Sequence, residues 1–157
     1  MKNPFENLKK MILLKDKILH YVVFKIDDIY YALNTRYIKE ILRSKEKKEL
    51  PNTPNYMVGV INNNYPITLI DLKYILKKQH QDYTNKMFVI SFLYEKNYYG
   101  FFTKEIIDVV PIEEYNLVDK SEGLEEYFFV DKTFSYDGNI VFIINIEKMF
   151  KKGTNDY

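Results

Sequence analysis

The chain has 157 residues, of which 46% are hydrophobic and 29% charged, and its formal net charge is +1. This composition fits one folded domain, or two small lobes sharing one core, and excludes a disordered chain. No stretch approaches 18 consecutive apolar residues and no cysteine is present, so a membrane span, a disulfide framework and a thiol nucleophile are not expected.

The first half of the chain predicts one short helix followed by β-strands. Apolar side chains recur at helical spacing over residues 4–14. The runs that follow are rich in β-forming residues and are separated by turn signals. The predicted strands span 20–26, 29–33 and 65–70, a short apolar run covers 56–61, and residues 37–42 fit a strand or a helix. Asp71 is expected to cap a short mid-chain helix.

The second half repeats this order of elements after a polar linker at residues 79–86. The predicted strands span 87–94, 98–103, 106–110, 127–130 and 140–146, an acidic loop covers 113–126, and a last helical turn covers 147–152. Short strands at regular intervals with few helices predict an all-β fold. Because both halves run in the same order, two small barrels fit better than one large sandwich.

The expected organisation is a single domain over 1–157 made of two lobes. We expect residues of about 18–80 to build mostly the first barrel lobe, and about 86–150 mostly the second, with strands exchanged at the chain ends. Residues 1–17 are expected to form a helical extension.

The charges are distributed unevenly along the chain. Residues 1–80 carry 15 Lys and Arg against 8 Asp and Glu, a net of +7, whereas residues 81–157 carry 8 against 14, a net of −6. Positive groups concentrate over 36–48 and negative groups over 113–126. These are either two solvated faces or two surfaces that meet different partners, since opposite patches orient encounters.

The sequence offers little for catalysis. His20 lies in a predicted strand, and the triplet His80-Gln81-Asp82 is only a weak metal-ligand pattern in the linker. None of the serines lies in a Gly-x-Ser-x-Gly turn, and the five glycines form no phosphate-binding loop. We therefore expect no enzyme activity, no catalytic residue, no metal and no cofactor.

A barrel that binds single-stranded nucleic acid is the alternative class. Aromatic and basic residues near the positive stretch could form a stacking platform, namely Tyr30, Tyr31, Tyr37, Arg36, Lys39 and Arg43. However, the sequence pI of about 7.7 lies well below the basic footprint of such proteins. Aromatic side chains that fill two barrels are the simpler interpretation, so no nucleic-acid partner is expected.

Six segments in order, between about residues 20 and 150, resemble the CheW family of coupling adaptors in bacterial chemotaxis arrays. The strongest segment is Leu50-Pro51-Asn52-Thr53-Pro54-Asn55-Tyr56-Met57-Val58-Gly59-Val60-Ile61-Asn62, which is similar to the family's Pro-x-x-Pro loop and Gly-Val-x-Asn strand. The others are residues 23–33, 38–41, 70–72, 99–109 and 137–150.

The resemblance implies two small five-stranded β-barrels that share a hydrophobic core, with short helices at the N-terminus, mid-chain and C-terminus. It also implies a non-catalytic adaptor that couples chemoreceptor cytoplasmic tips to the regulatory domain of a CheA-type histidine kinase. Such a protein is cytoplasmic, lies at receptor arrays on the inner face of the membrane, and does not insert into it. A divergent scaffold that binds only one of these partners is the alternative.

The resemblance and the charge pattern nominate two groups of contact residues. The expected receptor-binding residues are Ile38, Glu40, Ile41, Asn62, Asn63 and Asn64. The expected kinase-binding residues are Gly100, Asp108, Val109, Glu125 and Glu126. Many family members carry an Arg in the turn after the Gly-Val-x segment, and this chain has only the asparagine run there. An Asn supplies neither the charge nor the forked donor of Arg, so partner choice is expected to differ.

Overall fold

The described part of the chain is built mainly from strands. The computed structural model describes residues 4–8 and 17–153, with side chains through residue 151. Its strands are β1 (Ile18–Ile26), β2 (Ile29–Asn34), β3 (Ile38–Arg43), β4 (Met57–Asn62), β5 (Pro66–Ile70), β6 (Phe88–Tyr94), β7 (Asn97–Thr103), β8 (Glu105–Glu113), β9 (Val118–Asp119), β10 (Val130–Tyr136) and β11 (Asn139–Ile144). The helices between and after them are α1 (Leu72–Lys77) and α2 (Ile146–Gly153).

Residues 4–8 are helical, in agreement with the helix predicted over 4–14. The remainder of that helix, and most of the extension expected over 1–17, lies outside the described residues.

The strands form two sheets with the same internal plan. The six-stranded sheet has the order β8-β1-β2-β11-β10-β9, and the five-stranded sheet has the order β3-β6-β7-β5-β4. In each sheet, one hairpin (β1-β2 or β6-β7) pairs in parallel with a second hairpin (β10-β11 or β4-β5). The repeated order seen in the sequence therefore reflects a real structural repeat.

The sheets do not follow the two halves of the chain. The six-stranded sheet takes strands from both ends of the chain, and the five-stranded sheet takes the strands between them. The ranges expected for the two lobes, about 18–80 and about 86–150, therefore each combine strands of both sheets. Local sequence patterns could not show this, because it depends on the long-range pairings of β1 with β8 and of β3 with β6.

Three apolar clusters account for the shared core. One lies within the six-stranded sheet and includes Val23, Phe134 and Val141. A second lies within the five-stranded sheet and includes Ile67 and Phe102. The third and largest combines side chains from both sheets and both helices, for example Phe24 stacked on Phe101 with ring centroids 6.1 Å apart. The expected all-β fold with a shared core is confirmed.

Alternation along a strand explains why so many positions are apolar. In β1, Val22 and Phe24 face the shared core, while Tyr21 and Val23 face the apolar cluster within the six-stranded sheet. Since successive side chains point to opposite faces, a strand that is buried on both faces appears in sequence as a continuous apolar run. Such runs fill the centre of β1 and residues 31–33 of β2.

Neither sheet is a fully hydrogen-bonded barrel. Within the described residues, no ladder of backbone hydrogen bonds joins the two outer strands of either sheet. In the five-stranded sheet, β4 is linked instead to the segment after β3 by a two-bond bridge between Lys48 and Val60, with both N···O distances at 2.8 Å. In the six-stranded sheet, the hydroxyl of Tyr136 on β10 donates to Asp108 on β8 at 2.9 Å.

One predicted strand is wrong. Residues 127–129 form turns, and β10 begins only at Val130. Tyr127 and Phe129 are buried in the shared core, and Tyr127 stacks on Phe142 at a centroid distance of 4.3 Å. The apolar run therefore reflects burial of a turn segment, which periodicity alone cannot distinguish from a short strand.

Candidate functional site

Strand β3 and the β4–β5 turn meet through a polar cluster, here called the Glu40 clasp (Glu40, Lys45, Asn63 and Tyr65). The side-chain amide of Asn63 donates to Glu40 Oε1 at 2.7 Å, and the hydroxyl of Tyr65 donates to the same oxygen. Lys45 Nζ donates to Asn63 Oδ1 at 2.7 Å. Because β3 and β4 are the outer strands of the five-stranded sheet, the clasp connects its two edges.

The hydrogen bonds of the clasp favour an ionised Glu40. The hydroxyl of Tyr65, and then the amide of Asn63, hold the pKa of Glu40 below its ordinary value. Burial, followed by the hydrogen bond to Glu40, raises the pKa of the Tyr65 hydroxyl. Ser91, which is fully buried, donates to the backbone oxygen of Glu40 at 3.1 Å and fixes that strand position from β6.

The clasp brings together two of the expected receptor-binding residues, Glu40 and Asn63. Asn62 and Asn64 are exposed beside them, and Ile41 is 40% exposed on β3. Ile38 differs, because it is half-buried and packs against the shared core. A substitution at Ile38 would therefore disturb packing as well as any contact with a partner.

A cleft of about 550 Å³ opens between the two sheets, next to the start of β3. Tyr37, which is 42% exposed, and Leu93, which is 51% exposed, supply large apolar surface along it. Charged groups border it, including Arg36, Glu95 and Glu114. Its remaining lining comes from Leu19, Tyr21, Asn34, Tyr94, Asp131, Lys132 and residues 143–147.

Sequence reasoning missed this cleft as a candidate site. Tyr37 was considered only as a stacking residue or part of a third element, and Leu93 only as part of a strand. The cleft depends on how β2 and β11 of one sheet lie beside the β6–β7 hairpin of the other. The only signal in the sequence is Leu93 near the end of the otherwise buried strand β6. The periodicity of apolar residues along that strand does not show that Leu93 faces outward.

Among the expected kinase-binding residues, Gly100 is not at the surface. It is buried in β7, where a Cβ would lie 2.5 Å from Val89 Cγ1 and 3.1 Å from Ile67 Cγ2. The close approach of these neighbours requires a residue without a side chain. The expected contact role of Gly100 is therefore corrected to one in packing.

Asp108 and Val109 lie on β8, an edge strand of the six-stranded sheet, and both are exposed. Asp108 Oδ1 accepts the backbone N–H of Val109 at 2.8 Å, and Pro111 has no N–H to offer. These two features blunt the edge against pairing with another strand. A partner on this face would therefore be bound through side chains.

Glu125 and Glu126 are exposed in the loop between β9 and β10. Glu125 Oε1 accepts the backbone N–H of Gly123 at 3.2 Å, which helps to shape this turn. The loop belongs to the same sheet as β8, whereas Gly100 belongs to the other sheet.

The His80 segment is anchored to the fold. Asp71 is fully buried and caps α1 by accepting the N–H of Tyr74 at 3.0 Å. Its other oxygen lies 3.0 Å from both His80 Nδ1 and the backbone nitrogen of Gln81.

Within the described residues, no group of three or more His, Cys, Asp or Glu side chains is arranged to hold a metal ion. In the same described part of the chain, no helix is long and apolar enough to cross a membrane.

Comparisons with known proteins agree on one family. The family model described as "CheW-like domain" matches residues 20–153. A protein named "Chemotaxis protein CheW" from Helicobacter pylori is 26% identical over 145 residues, covering 87% of this chain and 84% of that protein. The crystal structure of the scaffolding protein TtCheW from Thermoanaerobacter tengcongensis matches with a TM-score of 0.72 and 21% identity, covering 82% of this chain and 84% of that chain.

Proposed function

Because this chain belongs to the CheW-like domain family, we propose that it is a non-catalytic adaptor that couples chemoreceptor tips to a CheA-type histidine kinase. It would act in the cytoplasm, at receptor arrays on the inner face of the membrane. The family match and the chemotaxis protein of Helicobacter pylori support this role. The single structural observation that carries it is the open cleft between the two sheets.

The cleft suits a helix from a partner protein. An amphipathic helix binds a groove by inserting apolar side chains, while its polar faces meet a polar rim. Tyr37 and Leu93 offer apolar surface, and Arg36 and Glu95 stand at the rim. We assign the receptor tip to this cleft and to the adjoining surface of β3 and the β4–β5 turn, which carries Ile41 and the Glu40 clasp.

The kinase regulatory domain is assigned to exposed residues in the second half of the chain, which carries the excess of negative charge. Asp108 and Val109 on β8, with Glu125 and Glu126 in the following loop region, are exposed and mainly acidic. A basic surface on the kinase domain would complement them, since complementary potentials orient encounter and fix register. The two partners then occupy separate surfaces, as an adaptor requires.

The proposal is tested by co-sedimentation of the full chain with each partner alone. One arm uses a fragment that carries the cytoplasmic tip of a chemoreceptor from the same genome, and the other uses the kinase regulatory domain. Binding to both supports the adaptor. Binding to only one identifies the narrower scaffold, and binding to neither rejects the proposal.

Substitutions in the cleft locate the receptor surface. We expect Leu93→Asp to weaken binding of the receptor fragment about tenfold or more, because a charge would replace a large apolar side chain that lines the cleft. Val118→Asp is the matched control, since Val118 is 60% exposed on β9, outside the cleft lining. Equal losses in both variants, with both folded by circular dichroism, would reject the cleft as the receptor site.

A further inference from the structure

A strip of exposed cations runs along and beyond β3. This basic strip consists of Arg36, Lys39, Arg43, Lys45 and Lys48, all of which are exposed. On β3 itself the exposed residues alternate with half-buried ones, so that Lys39, Ile41 and Arg43 present their side chains to solvent in succession. The strip borders the cleft, because Arg36 also lines it.

The charges of this strip have little compensation among the described residues, where Lys39 and Lys45 act on Glu40 only as minor causes of its lowered pKa. Within the described residues, none of its five members forms an ion pair, whereas the neighbouring Lys47 pairs with Glu49 at 2.7 Å. Glu40, the acid on β3, is already bonded to Asn63 and to the Tyr65 hydroxyl. Arg36 and Arg43 instead lie over the rings of Tyr37 and Phe88, at 4.7 Å and 5.3 Å.

These contacts attract the two guanidinium groups to the ring faces and hold them in place, and Arg36 Nη2 also donates to the hydroxyl of Tyr37. Each guanidinium has five N–H donors in a planar fork, so donors remain at its edges for a carboxylate. Ile41, 40% exposed, lies between Lys39 and Arg43 and supplies an apolar centre. The strip therefore offers one positive group, Lys39, on one side of the apolar Ile41 and another, Arg43, on the other side.

We infer that this surface takes an acidic, amphipathic helix of the partner protein, with carboxylates on both sides of an apolar residue. Four residue steps along a strand place Lys39 and Arg43 about 13 Å apart at 3.3 Å per residue. Positions i and i+7 of a helix lie about 10.5 Å apart, and positions i+3 and i+4 fall between them on the same face. Acidic residues at i and i+7 with an apolar residue between them match the strip.

A protein segment fits this strip better than a nucleic acid or a membrane surface. The apolar Ile41 stands at its centre, where a phosphate backbone would need another donor. Negative charges elsewhere offset the positive charge of the strip, since the whole chain has a net charge of only +1, and a nucleic-acid-binding domain is typically much more basic. The strip also adjoins the cleft assigned to the receptor helix, so this inference rests on the proposed function and specifies the chemistry of the partner at that site.

The experiment measures binding of the chemoreceptor-tip fragment at two salt concentrations. We expect the wild-type Kd to rise about fivefold or more between 50 mM and 300 mM NaCl, because screening weakens exposed charge pairs. The Lys39→Glu/Arg43→Glu variant should bind about tenfold or more weakly at low salt, with little further loss at high salt. The milder Lys39→Gln/Arg43→Gln variant should give an intermediate loss if the double reversal fails to fold.

The matched control is Lys86→Glu/Lys104→Glu, which changes the net charge equally at two exposed lysines outside the strip. Equal weakening in both double variants, or binding that is independent of salt and of charge reversal, would overturn the inference and leave the proposed function standing. No binding of the fragment by wild type at either salt would reject the receptor part of the proposed function, on which this inference rests. Salt-sensitive self-association in sedimentation velocity, lost in the Lys39→Glu/Arg43→Glu variant, would assign the strip to a second copy and overturn the acidic helix.

Discussion

The side-chain amide of Asn63 donates a 2.7 Å hydrogen bond to the carboxylate of Glu40, joining the β4–β5 turn to strand β3. This contact lies in the turn where the family resemblance implies an Arg and the sequence has asparagines. Together with Tyr65, the neutral amide satisfies Glu40 without a guanidinium. The edge-to-edge link therefore survives the loss of the positive charge, while the charge presented to a partner changes.

Replacement of Asn63 tests the structural value of this link. We expect Asn63→Ala to lower the free energy of unfolding by about 1 kcal/mol, since its hydrogen bond to the Glu40 carboxylate and the exposed one that it accepts from Lys45 are both lost. Urea denaturation followed by circular dichroism measures the change. Asn62→Ala, at an exposed neighbour, is the control and should change stability by less than half as much. Equal effects of the two substitutions would show that the link does not stabilise the fold.

The pH dependence of stability tests the ionisation of Glu40. Because its pKa is lowered in the folded state, the stabilisation is present above the unfolded pKa of about 4.3 and is lost as the pH falls through the folded pKa. We expect Tyr65→Phe to be less stable than wild type at pH 7, with the difference shrinking at acid pH. Denaturation midpoints from pH 7 to pH 3 measure it. A difference that stays constant with pH would contradict this account of Glu40.

Local patterns in the sequence predicted most of the strands, because each has either a buried face or a turn signal at its end. The hairpin β1-β2 and the cap at Asp71 are examples, since their determinants lie within a few residues. The allocation of strands to the two sheets was not predictable in this way. It depends on pairings such as β1 with β8, whose residues lie about 80 positions or more apart.

The contact between Glu40 and Asn63 was not predictable from local patterns, because the two residues lie 23 positions apart. The family resemblance marked both as receptor-binding residues, and that role stays a prediction. Gly100 was misassigned because a glycine required by packing and a glycine at a contact surface look alike in sequence. Burial decided between them, and burial depends on tertiary structure.

Substitution of Gly100 tests its packing role. We expect Gly100→Ala to destabilise the protein by about 1–3 kcal/mol, because the new methyl group would overlap Val89 in a close-packed interior. In the double variant with Val89→Ala, the total loss should be smaller than the sum of the single losses, since the smaller side chain makes room. Chemical denaturation of the four proteins gives the coupling. Additive losses would contradict the packing explanation.

The link between β8 and β10 can be followed through the ionisation of Tyr136. The hydrogen bond from its hydroxyl to Asp108 is the main cause that raises its pKa, because the donor proton is held by a carboxylate. We expect Asp108→Asn to move the pKa of Tyr136 down towards 10, the ordinary value for tyrosine. Carbon NMR of ring-labelled tyrosine, assigned with Tyr136→Phe, measures it. An unchanged pKa would show that the hydrogen bond does not persist in solution.

Charge reversal in the acidic loop tests the surface assigned to the kinase. We expect Glu125→Lys/Glu126→Lys to weaken binding of the kinase regulatory domain about tenfold at low salt, mainly through slower association, because steering by complementary charge is lost. Surface plasmon resonance separates the association and dissociation rates. Glu46→Lys/Asp82→Lys reverses two exposed acids outside this loop and should change binding by less than twofold. If both variants lose affinity equally, net charge rather than the loop between β9 and β10 governs the encounter, and the kinase surface must lie elsewhere.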